Sequence, residues 1–388
     1  MSISALSATE LLRALSLRDL TDPAAGPHAM QLLLAAIHAA LPAPVLVHRA
    51  PPIVSIADNY DRLGYPPDGA ARDARYTRYV CDTALLRTQT SAMIPPLLAS
   101  LAASPPDDVV VSCAGLVYRR DVIDRLHVGE PHQVDLWRIS RDPLDERALD
   151  ELIRVVVTTA LPGKRWRTQP AVHPYTTHGR QIDVEIDGEW IEIGECGLAS
   201  PSLLAAAGMS SHAGLAMGLG LDRLLMLRKG LDDIRLLRAT DPRIATQLLD
   251  LESYRPVSMM PPVRRDLSIV VDAPQDAEAV GDQVRNALGD RAELVEAVDV
   301  LSTTPQDALP AAAISRLGIA PGQWNLLIRI TLRALDRTLT HDECNELRDE
   351  IYAAVHAGSV HHWASRRPES SKPGPAASAA SRSSRPPS

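Results

Sequence analysis

Two short stretches hold the side chains whose types and spacing point most directly to chemistry. Leu116-Val-Tyr-Arg-Arg-Asp-Val-Ile-Asp-Arg-Leu-His-Val-Gly-Glu-Pro-His-Gln-Val-Asp135 sets Arg119 at the edge of an apolar run, with Asp121 and His127 following. Gly214-Leu-Ala-Met-Gly-Leu-Gly-Leu-Asp-Arg-Leu-Leu-Met226 sets Arg223 where a glycine-rich strand pattern gives way to a helical one. A guanidinium is always charged and presents a rigid fork of donors. Two such forks against a low-dielectric wall suit a polyphosphate undergoing displacement, because they hold the negative charge that spreads in the transition state. The bland reading of either arginine is a surface ion pair. Taken together with His127, they favour catalysis.

These stretches resemble motifs 2 and 3 of the class II aminoacyl-tRNA synthetases. Further segments resemble the phenylalanyl-tRNA synthetases within that class. Leu85-Leu-Arg-Thr-Gln-Thr-Ser-Ala-Met93 is similar to the segment before motif 2, and Gly188-Glu-Trp-Ile-Glu-Ile-Gly-Glu-Cys-Gly197 to the strand closing the amino-acid pocket. Asp232 to Arg243 resembles the stretch after motif 3, while Met260 to Ile269 and Asp336 to Thr340 resemble the anticodon-binding domain. The resemblance covers roughly residues 55 to 364. It implies an α/β (α+β) protein: a class II antiparallel sheet flanked by helices, then a ferredoxin-like domain.

The resemblance also implies roles. Arg119 would meet the α-phosphate of ATP and the incoming carboxylate, Arg223 the γ-phosphate end, His127 the leaving pyrophosphate and Asp121 the adenine amino group. Pro131 stands where the family stacks a phenylalanine on adenine. Ser91, Gln133 and Asp135 would receive the substrate's ammonium, with Gln89 in place of a histidine and Ile94 in place of a glutamine. His173-Pro174-Tyr175 replaces a Phe-Pro-Phe segment of the side-chain pocket, to which Ala216 also belongs. Magnesium would accompany ATP, with Glu192 and Glu195 as candidate ligands; strand alternation makes Glu192 equally plausible as a solvent-facing residue. The expected activity is ATP-dependent activation of phenylalanine and its transfer to tRNA. A paralogue using a different aromatic amino acid, or a non-catalytic RNA-binding paralogue, stays open as an alternative.

The elements that must position these residues are legible in part. Apolar spacing predicts helices within residues 5–40 and over 145–160. Strand pieces are expected at 108–112 and 115–119, a loop at 65–71, and a hairpin over 182–193 turning at Asp187-Gly188. The expected division is a helical segment at 1–40, a catalytic domain at 41–253, an anticodon-binding domain at 254–364 and a disordered tail at 365–388. In the third of these the pattern predicts strand 267–271, helix 277–288, strands 292–301 and 325–334, helix 342–357 and a short final strand near Val360.

Composition bounds the rest. A net charge of -8 argues against a general nucleic-acid coat but leaves local basic patches free to bind tRNA. Four cysteines without C-x-x-C spacing indicate neither zinc nor a disulfide framework, so a reducing cytoplasm is expected. No run approaches membrane-spanning length, and a monomer is plausible because the RNA-binding module is already attached. The chain has 388 residues and no phenylalanine, where ordinary usage gives on the order of a dozen. The losses include positions where the family uses it: Leu215, Met217, Pro131, His173, Tyr175 and Ile269.

Overall fold

The computed structural model describes residues 5–73, 77–119, 122–257 and 261–361. Among the described residues ten strands precede residue 250: β1 (Val45–His48), β2 (Ile53–Ser55), β3 (Tyr79–Cys81), β4 (Ala84–Leu86), β5 (Asp108–Leu116), β6 (His132–Ser140), β7 (Trp166–Pro170), β8 (Thr176–Ile186), β9 (Glu189–Ala199) and β10 (Ala213–Gly220). Seven of them form one sheet in the order β1-β5-β6-β10-β9-β8-β7. Its pairs are antiparallel except β1 with β5. β2, β4 and β3 form a small sheet beside it.

The period of two along the central strands explains how the sheet carries a core on one side and a cavity on the other. Val134 and Leu136 of β6, with Met217 and Leu219 of β10, face a core built with Leu33, Leu152 and Leu224 from three helices. Those helices are Ala29–Ala40, Glu146–Ala160 and Leu221–Lys229. Burying each such side chain contributes about 1.5–3 kcal/mol. The residues between them on the strands point the other way: Trp137 and Ala216 pack with Ile94, Leu98 and Leu204.

Local chemistry sets the boundaries. Asp145 caps the Glu146–Ala160 helix by accepting from the Ala148 N–H. The β8–β9 hairpin turns at Asp187 and Gly188, both at positive φ (53° and 89°), as a two-residue primed turn requires. The helical spacing expected over 5–40 resolves into Ala8–Leu15 and Ala29–Ala40. Between them Asp22 caps a short 3-10 turn at Pro23–Ala25, and Gly26 (φ 101°) reverses the chain. The two strand pieces expected at 108–112 and 115–119 are one strand that ends at Leu116.

The second domain contains β11 (Val263–Val271), β12 (Val295–Pro305) and β13 (Trp324–Leu332), antiparallel in the order β11-β13-β12. Helices Ala277–Leu288 and His341–Val355 cover one face, burying Val280, Val284, Leu347 and Ile351 against Leu267, Ile269 and Ile328. A capping box between Thr340 and Glu343 starts the second helix. A helix at Ala311–Leu317, not anticipated from the sequence, lies between β12 and β13. The expected final strand near Val360 does not form among the described residues. The Ala357 N–H bonds Val270 O at 2.8 Å, but the next turn of chain leaves the β11 edge when the Ser359 N–H donates to Gly318 O at 3.1 Å. No helix among the described residues is long and apolar enough to cross a membrane.

Candidate active site

A cavity of about 390 Å³ opens on the face of the large sheet opposite the main helical core. Arg119, His127, Pro131, Gln133 and Arg223 line it, as do Gln89, Ser91, Asp135, His173, Tyr175, Ala216 and Glu192. Residues from widely separated parts of the sequence are thus brought to one site. Asp121 lies outside the described residues.

At one end, Arg119 follows β5 and its Nε–H donates to Thr88 O at 2.7 Å. That bond uses one edge of the guanidinium and fixes its plane. His127 Nε2 lies 3.1 Å from Arg223 Nη2, and its Nδ1 lies 2.9 Å from both oxygens of Asp124. Arginine offers only donors, so Nε2 accepts and Nδ1–H donates to the carboxylate. Burial pushes Asp124 upward, but hydrogen bonds from His127 and the Leu126 N–H outweigh it and hold the carboxyl below its usual range. Arg223 also donates to Glu192 O at 2.7 Å, and its buried Nε has no hydrogen-bond partner among the described residues. The two stretches singled out in the sequence are therefore joined by a histidine in a defined tautomer.

A second tie lies beneath. His132 and Asp222 are buried, and the carboxylate accepts from both the backbone N–H and the ring of His132. The other ring nitrogen accepts from the Leu20 N–H at 3.0 Å, so the N-terminal segment fixes this tautomer too. Burial alone would raise Asp222; interactions with His132 and the charge of Arg238 bring it below its ordinary value.

At the other end, Asp135 is buried and receives three donors. Thr90 Oγ1 donates at 2.6 Å, Ser91 Oγ at 2.9 Å and Trp137 Nε1 at 3.0 Å. Burial nevertheless pushes its pKa up. Tyr65 Oη donates to Gln89 Oε1 at 3.0 Å, and Gln89 Nε2 to Asn59 O at 3.0 Å. The Tyr175 ring stacks on Trp137 with centroids 5.9 Å apart. His173 Nε2 lies 2.5 Å from Glu195 Oε2. Ile94 is fully buried in the apolar core behind the cavity and is not among the lining residues.

Residues 45–248 match the model of the tRNA synthetases class II core domain (F), and residues 258–359 that of the ferredoxin-fold anticodon binding domain. The chain belongs to the class II aminoacyl-tRNA synthetases.

The synthetases it resembles include phenylalanine–tRNA ligases. The chain is 34% identical over 203 residues to a phenylalanine–tRNA ligase alpha subunit of Prochlorococcus marinus, covering 52% of this chain and 59% of that protein. It is 27% identical over 362 residues to a probable mitochondrial phenylalanine–tRNA ligase of Drosophila melanogaster, covering 78% and 75%. With the chloroplastic/mitochondrial enzyme of Arabidopsis thaliana it shares 26% identity over 314 residues, covering 77% and 68%. The chain therefore spans little more than half the length of the bacterial alpha subunits it matches.

Several synthetase site residues escaped the sequence reading: Asp124, His132, Asp222, Thr90, Trp137 and Tyr65. Each acts through a partner, and two lie close to theirs in sequence: Asp124 three residues before His127, and Trp137 two residues after Asp135. A carboxylate three residues ahead of a histidine, and an indole two residues past a carboxylate on one strand face, were the local signals available. Magnesium, which the family implies with ATP, fits the donor set. Glu192 is pushed up first by burial and then by Glu195, and a divalent ion would relieve that repulsion. No group of three or more metal-ligating side chains occurs among the described residues, so an ion beside Glu192 would take most of its ligands from phosphates and water.

Proposed function

We propose that this synthetase activates an aromatic amino acid with ATP and transfers it to tRNA, with phenylalanine as the parent substrate. The observation that carries the reading is that Arg119, His127 and Arg223 line the same cavity as Tyr65 and Tyr175. In the first step a substrate carboxylate oxygen attacks the α-phosphorus, the bond to the bridging oxygen breaks, and pyrophosphate leaves. Arg119, oriented by Thr88 O, supports charge at the α-phosphate. Arg223, steered by Glu192 O and His127, holds the departing end. Glu192 would hold magnesium, which neutralises phosphate charge when bound.

The ammonium would be received by oxygens whose own protons are already committed. Asp135 accepts hydrogen bonds from the Thr90 and Ser91 hydroxyls, which leaves Ser91 Oγ as an acceptor in the cavity that Gln133 also lines. Asp135 is thus a positioning residue, with its negative charge close behind. In the second step a ribose hydroxyl at the tRNA end attacks the activated carbonyl and AMP departs. The ferredoxin-fold domain would grip the tRNA elsewhere.

Charging of tRNA is the test. The full chain, given ATP, magnesium and a tRNA pool, should attach an aromatic amino acid to phenylalanine-accepting tRNA. Formation of an adenylate with no transfer to any tRNA would reduce the reading to activation alone.

A further inference from the structure

We propose that Glu195, held by His173, is a specificity-determining residue that selects an aromatic amino acid bearing a hydrogen-bond donor on its ring, a hydroxyl or an amino group. This rests on the activation of an aromatic amino acid proposed above and names its side chain more closely.

Asp135 on β6, Gly218 on β10 and Glu195 on β9 are in register across three neighbouring strands. Gly218 contributes no side chain, and a Cβ built there would meet only Asp135 Oδ2, at 3.9 Å. Two carboxylates therefore stand on one face of the sheet with a bare strand position between them, their backbones about 10 Å apart, two strand spacings. They differ in what they have left to offer. Asp135 is buried under three donors. Glu195 gives Oε2 to His173, while Oε1 has no hydrogen-bond partner among the described residues. Close by, the buried Thr176 Oγ1 lines the same cavity and also has no partner among those residues. Tyr65, His173 and Tyr175 form the wall around this corner, their ring centroids 5.8–6.3 Å apart in successive pairs.

A plain hydrocarbon ring against this wall removes water from Glu195 and Thr176 and gives nothing back. A ring hydroxyl donates to Glu195 Oε1 and can accept from Thr176; a ring amine donates to Glu195. An anionic ring substituent is repelled. Sites built to bond a substrate donor discriminate strongly against analogues that lack it. Glu195 keeps 41% of its side-chain surface exposed, so solvent softens the discrimination to about tenfold to a hundredfold.

The test is amino-acid-dependent ATP–pyrophosphate exchange by the full chain with phenylalanine, meta-tyrosine, para-tyrosine and 4-aminophenylalanine. At least one donor-bearing ring should exceed phenylalanine in kcat/KM by tenfold or more. Glu195→Leu should invert that order chiefly through KM, and Glu195→Gln, which keeps an acceptor, should give an intermediate ratio. Wild-type preference for phenylalanine over every donor-bearing ring overturns the proposal while leaving the parent reading standing. So does a ratio unmoved in both variants. Exchange with no amino acid at all overturns the parent reading itself.

A second inference rests on a different observation. The absence of phenylalanine extends through every core, and tyrosines take buried aromatic places at the cost of a hydroxyl that must be satisfied. Tyr60 Oη donates to Ala71 O at 2.7 Å and Tyr79 Oη to Arg72 O at 2.7 Å, bonds a phenylalanine would not need. We infer that the chain is composed so that its synthesis does not draw on phenylalanyl-tRNA, and continues when that tRNA is uncharged or carries another amino acid. The test starves a phenylalanine-auxotrophic host and follows pulse-labelled synthesis of this chain beside a Tyr60→Phe, Tyr79→Phe, Leu215→Phe version. Wild-type synthesis should exceed that of the variant several-fold under starvation and equal it when phenylalanine is supplied. Equal loss of both under starvation overturns the inference.

Discussion

At the scale of single residues, the site separates groups that touch the substrates from groups that aim them. Arg119 and Arg223 supply charge, whereas Asp124 and Asp135 set the direction of a histidine and of two hydroxyls. Gly218 gives the cleanest probe of the amino-acid end, because a methyl added there makes one ordinary contact, with Asp135 Oδ2 at 3.9 Å, and otherwise enters the cavity. Gly218→Ala should leave stability within about 0.5 kcal/mol of wild type, as for substitutions that disturb no packing. It should raise KM for the amino acid at least tenfold with little change in KM for ATP. Equal effects on both constants would place the amino acid elsewhere. Arg119, His127 and Arg223 were legible in the sequence because each sits in a segment whose local pattern is distinctive. Most partners of Asp135, His132 and Glu195 were not, since they come from distant elements that only the tertiary fold brings in: Thr90 and Ser91 from a 3-10 turn, Asp222 from a helix and His173 from a loop.

At the scale of elements, the turn and helix signals read from the sequence survive wherever they are local. The Asp187-Gly188 turn and the Glu146–Ala160 helix depend on neighbouring residues alone. The final strand near Val360 fails because strand formation depends on a partner edge, and here the chain turns away toward Gly318. The N-terminal segment shows how a short element tightens a distant one. His28 caps the Ala29–Ala40 helix: Nδ1 accepts from the Met30 N–H and Nε2–H donates to Leu237 O, each at 3.1 Å. Burial lowers its pKa from 6.5 to about 4. As pH falls from 6.5 toward 4, the unfolded chain takes up a proton that the folded chain refuses, so stability drops across that window and levels off below it. The contribution is at most about 3 kcal/mol. Denaturant unfolding at pH 7.5 and 4.5 should show a drop smaller by about that amount in His28→Asn, which keeps a capping acceptor. Identical drops would assign the acid sensitivity to other groups.

At the scale of the whole molecule, the loop that carries His127 is anchored on the second domain. Ile123 is buried in that domain's core, Ile123 O accepts from the Val298 N–H at 2.9 Å, and Val122 O accepts from Arg285 at 2.6 Å. Arg235 ties the stretch after motif 3 to the same domain through Glu293 O and Arg333 O. Nothing in the sequence indicated this docking, because the Val122-Ile123 pair, set between charged residues, reads equally well as part of the catalytic domain. Ile123→Ala should cost about 2 kcal/mol as a large-to-small core change. Because it loosens the segment leading to His127, adenylate formation should also fall several-fold at temperatures where the protein stays folded. A purely structural loss with unchanged exchange would mean that the loop holds its geometry without the second domain.

The central claim is that Arg119 balances charge at the α-phosphate during formation of an aminoacyl-adenylate. The most direct measurement is ATP–pyrophosphate exchange, without tRNA, by the full chain and by Arg119→Ala at matched fold. Exchange should depend on an aromatic amino acid and fall by about two to three orders of magnitude in the variant. Exchange near the wild-type rate in a folded Arg119→Ala protein would contradict it.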